Sequence, residues 1–319
     1  MKNNLTTLRQ VFISGAKLIS KLLKNKITGI PLAVNYDITY KCNLNCEHCY
    51  FKASNPKPWE LSDAQWHNVF KNHHSLGIGS AAITGGEPTL RMNVIRDAYE
   101  TFETIQIASN GVIPIPDDIK ATIWVSIDGN EETHNKIRGA KIYKKVIKNI
   151  KDDPRVTIST TLSTSNYKQV NEIVENCIKT GVSGLFFMLY SGSLTNPLLL
   201  TGSKLKRTIR DIYKVIEEYP DFVIYSKMMT DCLLTKKHIN ECVFLNNNFI
   251  VSYFPDMRKK RCVMGDWVDC STCSCIVPII AYCIKRLDME MITKLEKFGN
   301  GLEKTPQNIK DKINFALIN

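Results

Sequence analysis

Leu32-Ala33-Val34-Asn35-Tyr36-Asp37 and, a short loop later, Cys42-Asn43-Leu44-Asn45-Cys46-Glu47-His48-Cys49-Tyr50 decide how the rest of the chain is read. The first run has the apolar, β-branched and aromatic character of a buried strand. The second places three cysteines in one loop, separated by three and then two residues, so that the loop can wrap one metal centre. Soft thiolates favour iron–sulfur or zinc. Structural zinc takes four ligands, and His48 lies between Cys46 and Cys49, where ligating together with both would strain the loop. Three thiolates suit a four-iron cluster with one iron left open, and an open position is a site of chemistry.

Outward from this loop, short apolar runs alternate with helical stretches. The expected strands are 32–37, 80–84, 105–109, 122–127, 156–162 and 184–189. The expected helices between them are 62–75, 92–101, 142–150 and 166–180. Strand and helix in repetition predict parallel strands joined by right-handed crossovers, with helices outside. Six units make about three quarters of an eight-fold barrel, a partial (β/α)6 TIM-like barrel. A long helix is expected over 203–218, and 221–225 are expected to add a further strand. Beyond about Lys227 the alternation is lost and cysteines concentrate. The expected division is 1–30 as an amino-terminal helix, 31–226 as the barrel and 227–319 as a cysteine-rich extension.

The chain of 319 residues is 44% hydrophobic and 23% charged, enough to bury a full core. Its net charge of +11 suits an anionic partner. The amino terminus lacks the pattern of a secretory signal, so the eleven cysteines are expected to be free thiols or metal thiolates in a reducing cytoplasm. No apolar run reaches the ~18 residues of a membrane span. Leu8 to Lys24 reads as an amphipathic helix with a basic face. It fits either a helix packed on its own domain or an interfacial helix holding the protein on the inner face of a membrane. The lysines near 144, 236 and 259 read as solvated faces, as do His67, His73 and His74. Cys262, Cys270, Cys273 and Cys275 supply four thiolates for a second iron–sulfur cluster or a structural zinc, with Cys232, Cys242 and Cys283 around them.

C-x3-C-x2-C at the end of the first strand resembles the signature of the radical S-adenosylmethionine superfamily, and further landmarks follow in strand order. Gly85-Gly86-Glu87-Pro88 after the second strand looks like the family's GGEP element. Ser109-Asn110-Gly111 after the third resembles its S/T-N-G turn. Ser126-Ile127-Asp128-Gly129 after the fourth, with His134 and Arg138-Gly139, resembles its S-x-D-G stretch and following arginine. The resemblance implies a four-iron four-sulfur cluster on Cys42, Cys46 and Cys49, with S-adenosylmethionine at the open iron. The backbone of the Gly85–Pro88 turn would meet the methionine amino group. Ser126 and Arg138 would hold carboxylate or ribose, and His48 would lie beside the adenine. It implies one-electron cleavage to a 5'-deoxyadenosyl radical, fed by a reductant such as ferredoxin or flavodoxin.

The resemblance leaves the substrate open between a lipid, such as an isoprenoid, and a peptide. An RNA-modifying enzyme is the alternative suggested by charge, but the basic residues lack an aromatic-interleaved stripe, so a nucleic-acid partner is not expected. A non-catalytic iron–sulfur or zinc redox protein is the alternative of another class. The Gly85–Pro88 turn and Arg138 speak against it, because a sensor needs no methionine pocket.

Overall fold

The computed structural model describes residues 25–52, 59–246 and 248–300. The amphipathic segment 8–24 lies outside the described residues. One eight-stranded sheet organises the chain, in the order β6-β5-β4-β3-β2-β1-β7-β8. Its strands are β1 (Ala33–Asp37), β2 (Ser80–Thr84), β3 (Thr104–Ser109), β4 (Thr122–Ser126), β5 (Val156–Leu162), β6 (Gly184–Leu189), β7 (Ile250–Tyr253) and β8 (Lys259–Lys260). All pairs from β6 to β7 are parallel, and β8 runs antiparallel to β7. The six expected strands are present in sequential order.

The strands form because both faces of the sheet are covered. On β1, Val34 and Tyr36 face outward into a cluster with Trp66 and Phe70 of α1 (Asp63–Ser75), with Tyr36 edge-on to Trp66 at 5.7 Å and to Phe70 at 5.1 Å. Burying each such ring contributes about 2–3 kcal/mol. The alternate residues Asn35 and Asp37 point to the other side, where they too are buried. Helix α1 begins at a capping box in which Ser62 and Gln65 satisfy each other's backbone donors. His73, expected in solvent, is instead half-buried, with Nδ1 2.6 Å from the Tyr36 hydroxyl.

The other helices of the barrel are α2 (Met92–Thr101), α3 (Glu131–Arg138), α4 (Tyr143–Ile150), α5 (Val170–Ile178) and α6 (Gly202–Glu218). Sequence reading missed α3. Asn130 caps it, Glu131 and Glu132 occupy its positive end, and Gly139 closes it in the left-handed conformation at φ 71°. Helix α5 starts later than expected because Asn166 builds a turn instead. Its amide donates to the carbonyls of Asp128 and Thr161 while its oxygen accepts from Ser163 N. The strand expected over 221–225 reduces to one bridge, Leu185 to Val223. The Phe222 and Val223 amides both bond back to the Tyr219 carbonyl, so that turn takes donors a ladder would need.

Strand and helix also continue past Lys227, where no alternation was expected, as α7 (Lys227–Thr235), β7, α8 (Ile276–Lys285) and α9 (Met289–Asn300). β7 is four residues long, too short to stand out by periodicity. It pairs with β1 in register from Ala33 opposite Ile250. At the other end of the sheet, residues 269–274 are laced to the end of β6. Thr272 Oγ1 bonds the Gly192 amide and carbonyl, each at 3.0 Å, and Ser274 N donates to Ser191 Oγ at 3.1 Å. The cysteine-rich segment therefore reaches from the β1 side to the carboxyl end of β6. Ile276, Ile279 and Cys283 join the same hydrophobic core as the barrel strands.

Candidate active site

The three-cysteine loop hangs from the carboxyl end of β1, the end of a parallel sheet where functional loops collect. Two turns hold it. Gly86 N donates to Thr39 O and Glu87 N to Lys41 O, both at 2.8 Å. Gly85 has φ 132°, and a Cβ on it would stand 2.7 Å from Thr39 O. A Cβ on Gly86 would collide with the Lys41 carbonyl and lie 2.9 Å from Tyr40 O. The glycines are thus required by the chain's own cysteine loop, which seats its backbone directly on theirs. On the other side, Glu47 N donates to Ile137 O at 2.8 Å, and Gly139 lets Asn45 approach the end of α3.

The Glu87 carboxylate is 1% exposed, and both of its oxygens accept from the protein. Oε1 accepts from Thr89 N, Thr89 Oγ1 and Ser109 Oγ, and Oε2 from Asn110 N at 2.8 Å. It locks the second turn to the third. Asn110 Nδ2 in turn donates to Asn43 Oδ1 at 2.7 Å, within the cysteine loop. Ser109 Oγ also accepts from Gly111 N. Ser126 ends β4, half-buried and paired with Ser159.

Asp128 is fully buried and central. Arg138 Nε donates to its Oδ2 at 2.6 Å, His48 Nε2 stands 3.7 Å from the same oxygen, and Thr161 N approaches Oδ1 at 3.3 Å. Burial alone would raise its pKa, but Arg138 and the two histidines more than reverse this, and it titrates below an ordinary carboxylate. Its amide donates to His134 Nδ1 at 3.2 Å. Arg138 reaches onward with Nη1 to Cys46 Sγ at 3.8 Å. An unbroken polar line thus runs from β4 through Asp128 and Arg138 to the second loop thiol.

Cys42, Cys46 and Cys49 are near enough for their charges to interact. Burial pushes the Cys42 and Cys46 thiols up, with Arg138 opposing it at Cys46. Metal ligation would have to displace those protons. Among the described residues no three His, Cys, Asp or Glu side chains stand close enough to share one ion. A cube takes each thiolate on a separate iron and so spaces its sulfurs more widely than an ion does. Both Glu87 oxygens are engaged by Thr89, Ser109 and Asn110, and His48 turns its Nε2 toward Asp128 while its buried Nδ1 has no hydrogen-bond partner. The residues fit a three-thiolate cluster, with one orphaned imidazole nitrogen beside it.

The carboxyl-terminal cysteines gather at a second place. Cys262, Cys270, Cys273 and Cys275 line one cavity, and Cys242 lines it with them. Sequence reading left Cys242 outside the ligand set because it stands twenty residues before Cys262. The β7–β8 hairpin brings the two together. Two of the lysines read as solvated are not. Lys260, 2% exposed, donates to Asp37 Oδ2 at 2.5 Å and to Val263 O at 2.8 Å. Half-buried Lys236 donates to Cys273 O at 2.9 Å. Tyr50, next to Cys49, senses the charges of both Cys262 and Cys275, so the two cysteine groups share a neighbour.

The Radical SAM superfamily model matches residues 36–219, more than half of the chain. The Bacillus subtilis sporulation killing factor maturation protein SkfB is 29% identical over 167 residues, 48% of this chain and 41% of that protein. The Mycobacterium tuberculosis mycofactocin maturase MftC is 25% identical over 169 residues, 48% of this chain and 43% of MftC. The chain thus spans less than half the length of either relative. Among solved structures, Streptococcus suis SuiB bound to S-adenosylmethionine superposes with a TM-score of 0.59 at 15% identity, over 86% of this chain and 71% of SuiB. That likeness is one of fold. With the family model covering the barrel, its three-cysteine loop and the turns that seat it, the chain belongs to the radical S-adenosylmethionine superfamily of enzymes.

Proposed function

We propose that this enzyme modifies a peptide, using a four-iron four-sulfur cluster on Cys42, Cys46 and Cys49 and a second iron–sulfur centre among the carboxyl-terminal cysteines. The carrying observation is the cysteine loop seated on Gly85 and Gly86, with Cys46 tied through Arg138 to Asp128. Reduced cluster and S-adenosylmethionine together supply a carbon-centred radical that takes hydrogen from the substrate. The protein's part is to position. Arg138 fixes the Cys46 sulfur and offers its remaining N–H groups to a carboxylate. Asp128 holds Arg138 charged and in place. His48 Nδ1, Ser126 and the Ser109–Asn110 turn would contact the nucleoside and methionine parts.

Peptide is favoured over lipid by the relatives. Two are maturation enzymes by name, and a further SuiB structure, at a TM-score of 0.58, was solved bound to its precursor peptide. The lipid reading leaned on segment 8–24, which lies outside the described residues. Among the described residues no helix is long and apolar enough to cross a membrane. A ferredoxin or flavodoxin is the proposed electron donor. The test is anaerobic turnover of reconstituted, reduced protein with S-adenosylmethionine and either a peptide pool or a lipid extract. Mass spectrometry should show a peptide of altered mass together with 5'-deoxyadenosine. Modification of a lipid with peptides untouched would overturn the substrate assignment, and absence of 5'-deoxyadenosine would overturn the cluster assignment.

A further inference from the structure

The cavity at the carboxyl-terminal cysteines holds one polar side chain without an assigned task. His238 sits in the short 3-10 turn Lys237–Glu241, just before Cys242. It is shielded completely from solvent; the Cys232 sulfur of α7 lies close enough to interact with the ring, but neither Nδ1 nor Nε2 has a well-aligned hydrogen-bond partner within the protein. Its ring lines the same cavity as Cys242, Cys262, Cys270, Cys273 and Cys275. Its thiol neighbour on the other side is Cys232 of α7, which Cys283 and His238 make more acidic.

An imidazole carries at least one N–H in either tautomer. Leaving a buried donor without an acceptor is destabilising, and such a group marks a missing ligand, ion or water. The surroundings select an electron-rich one. Arg261, which lines the cavity, donates Nη2 to Cys270 Sγ at 3.0 Å, and Lys236 donates to the Cys273 carbonyl at 2.9 Å, so two cations stand beside the thiols, while Lys260 is already paired with Asp37. A cluster carrying four thiolates is anionic and presents sulfur acceptors, which answers both the cations and the orphaned donor.

We propose that His238 is a positioning residue that donates a ring N–H to a sulfur of the second cluster and raises its reduction potential. The inference rests on the second iron–sulfur centre proposed above. Reduction adds one negative charge to the cluster, and a donor pointed at sulfur stabilises that charge more than the oxidised state. Removing the donor should lower the one-electron reduction constant about tenfold, equivalent to about 59 mV.

The experiment uses the full chain, reconstituted anaerobically, with iron counted and the potential of each cluster followed by electron paramagnetic resonance. His238→Leu is compared with His238→Asn and His238→Gln, whose amides can return an N–H near one or other ring position. The expected result is about eight irons per chain throughout, a downward shift in His238→Leu and recovery in one amide variant. Loss of second-cluster iron in His238→Leu with retention in an amide variant also supports the contact. An unchanged potential in fully loaded His238→Leu overturns this inference and leaves the second centre standing. Loss of that iron in all three variants makes His238 a ligand and overturns the donor role. About four irons in the unmutated chain removes the second centre and the inference with it.

Discussion

Gly86→Ala should unseat the cysteine loop while leaving the barrel folded. The new methyl would collide with the Lys41 carbonyl oxygen and stand 2.7 Å from the Lys41 carbonyl carbon, and both are backbone atoms that no rotamer can clear. The loop must retreat by about 1 Å, an overpacking cost of about 1–3 kcal/mol. The bonds from Gly86 N to Thr39 O and Glu87 N to Lys41 O, both at 2.8 Å, then stretch or break. At about 1 kcal/mol each, the total is about 3–5 kcal/mol. Displacing a reacting centre by about 1 Å costs on the order of 100-fold in rate, so 5'-deoxyadenosine formation should fall at least that far. Gly79→Ala is the control. The atoms nearest its Cβ are those of the Glu103 carboxylate, the far end of a flexible side chain, and the cost should stay below about 1 kcal/mol. Urea denaturation, iron content and 5'-deoxyadenosine yield would be measured for all three proteins. A Gly86→Ala protein with unmutated stability and full iron content would refute the claim that these glycines exist to admit the loop.

Three further outcomes follow from the same geometry. Lys260→Met leaves Asp37 charged, buried and short of its cation, which should cost about 3–5 kcal/mol in denaturant titration, and adding Asp37→Asn should recover part of it. A Lys260→Met protein as stable as its parent would mean the pair is solvated after all. Glu87→Gln places an amide where the carboxylate now receives Thr89, Ser109 and Asn110, and should cost about 1–3 kcal/mol and loosen the 109–111 turn, seen as faster amide hydrogen exchange at Asn110. Unaltered exchange there would argue against the lock. Burial, only partly opposed by Asp128, depresses His134 to about 4, so between pH 6.5 and 4 the unfolded chain holds a proton the folded chain lacks, and stability must fall as pH drops. From pH 7 to 5 His134 should contribute a loss of about 2 kcal/mol. His48, lowered by burial in the same way, adds to it. His134→Gln should flatten the slope, and an unchanged slope would assign it to other groups.

The amino-acid sequence by itself determined the parallel scaffold and the cysteine loop, because both are written locally. An apolar run of five or six residues, a Ser62–Gln65 capping box and three thiols within one loop each specify their structure from neighbours in the chain. The order of the landmarks then placed Gly85, Ser109 and Ser126 at the carboxyl ends of β2, β3 and β4, with Arg138 in the stretch that follows β4. Only the tertiary structure decided how these groups are used. The Glu87 carboxylate, part of the Gly85–Pro88 turn, also locks that turn to Ser109 and Asn110, and Lys260 reads as one of a solvated run and proves to be buried against Asp37 of β1, more than two hundred residues away. Cys242 and His238 join the carboxyl-terminal cysteines only because the β7–β8 hairpin folds back beside β1. Burial and pairing of charge depend on which distant surfaces meet. Periodicity and spacing report only what a residue's near neighbours impose, so the cost of desolvating Lys260, and the partner that offsets it, exist only once the chain has closed.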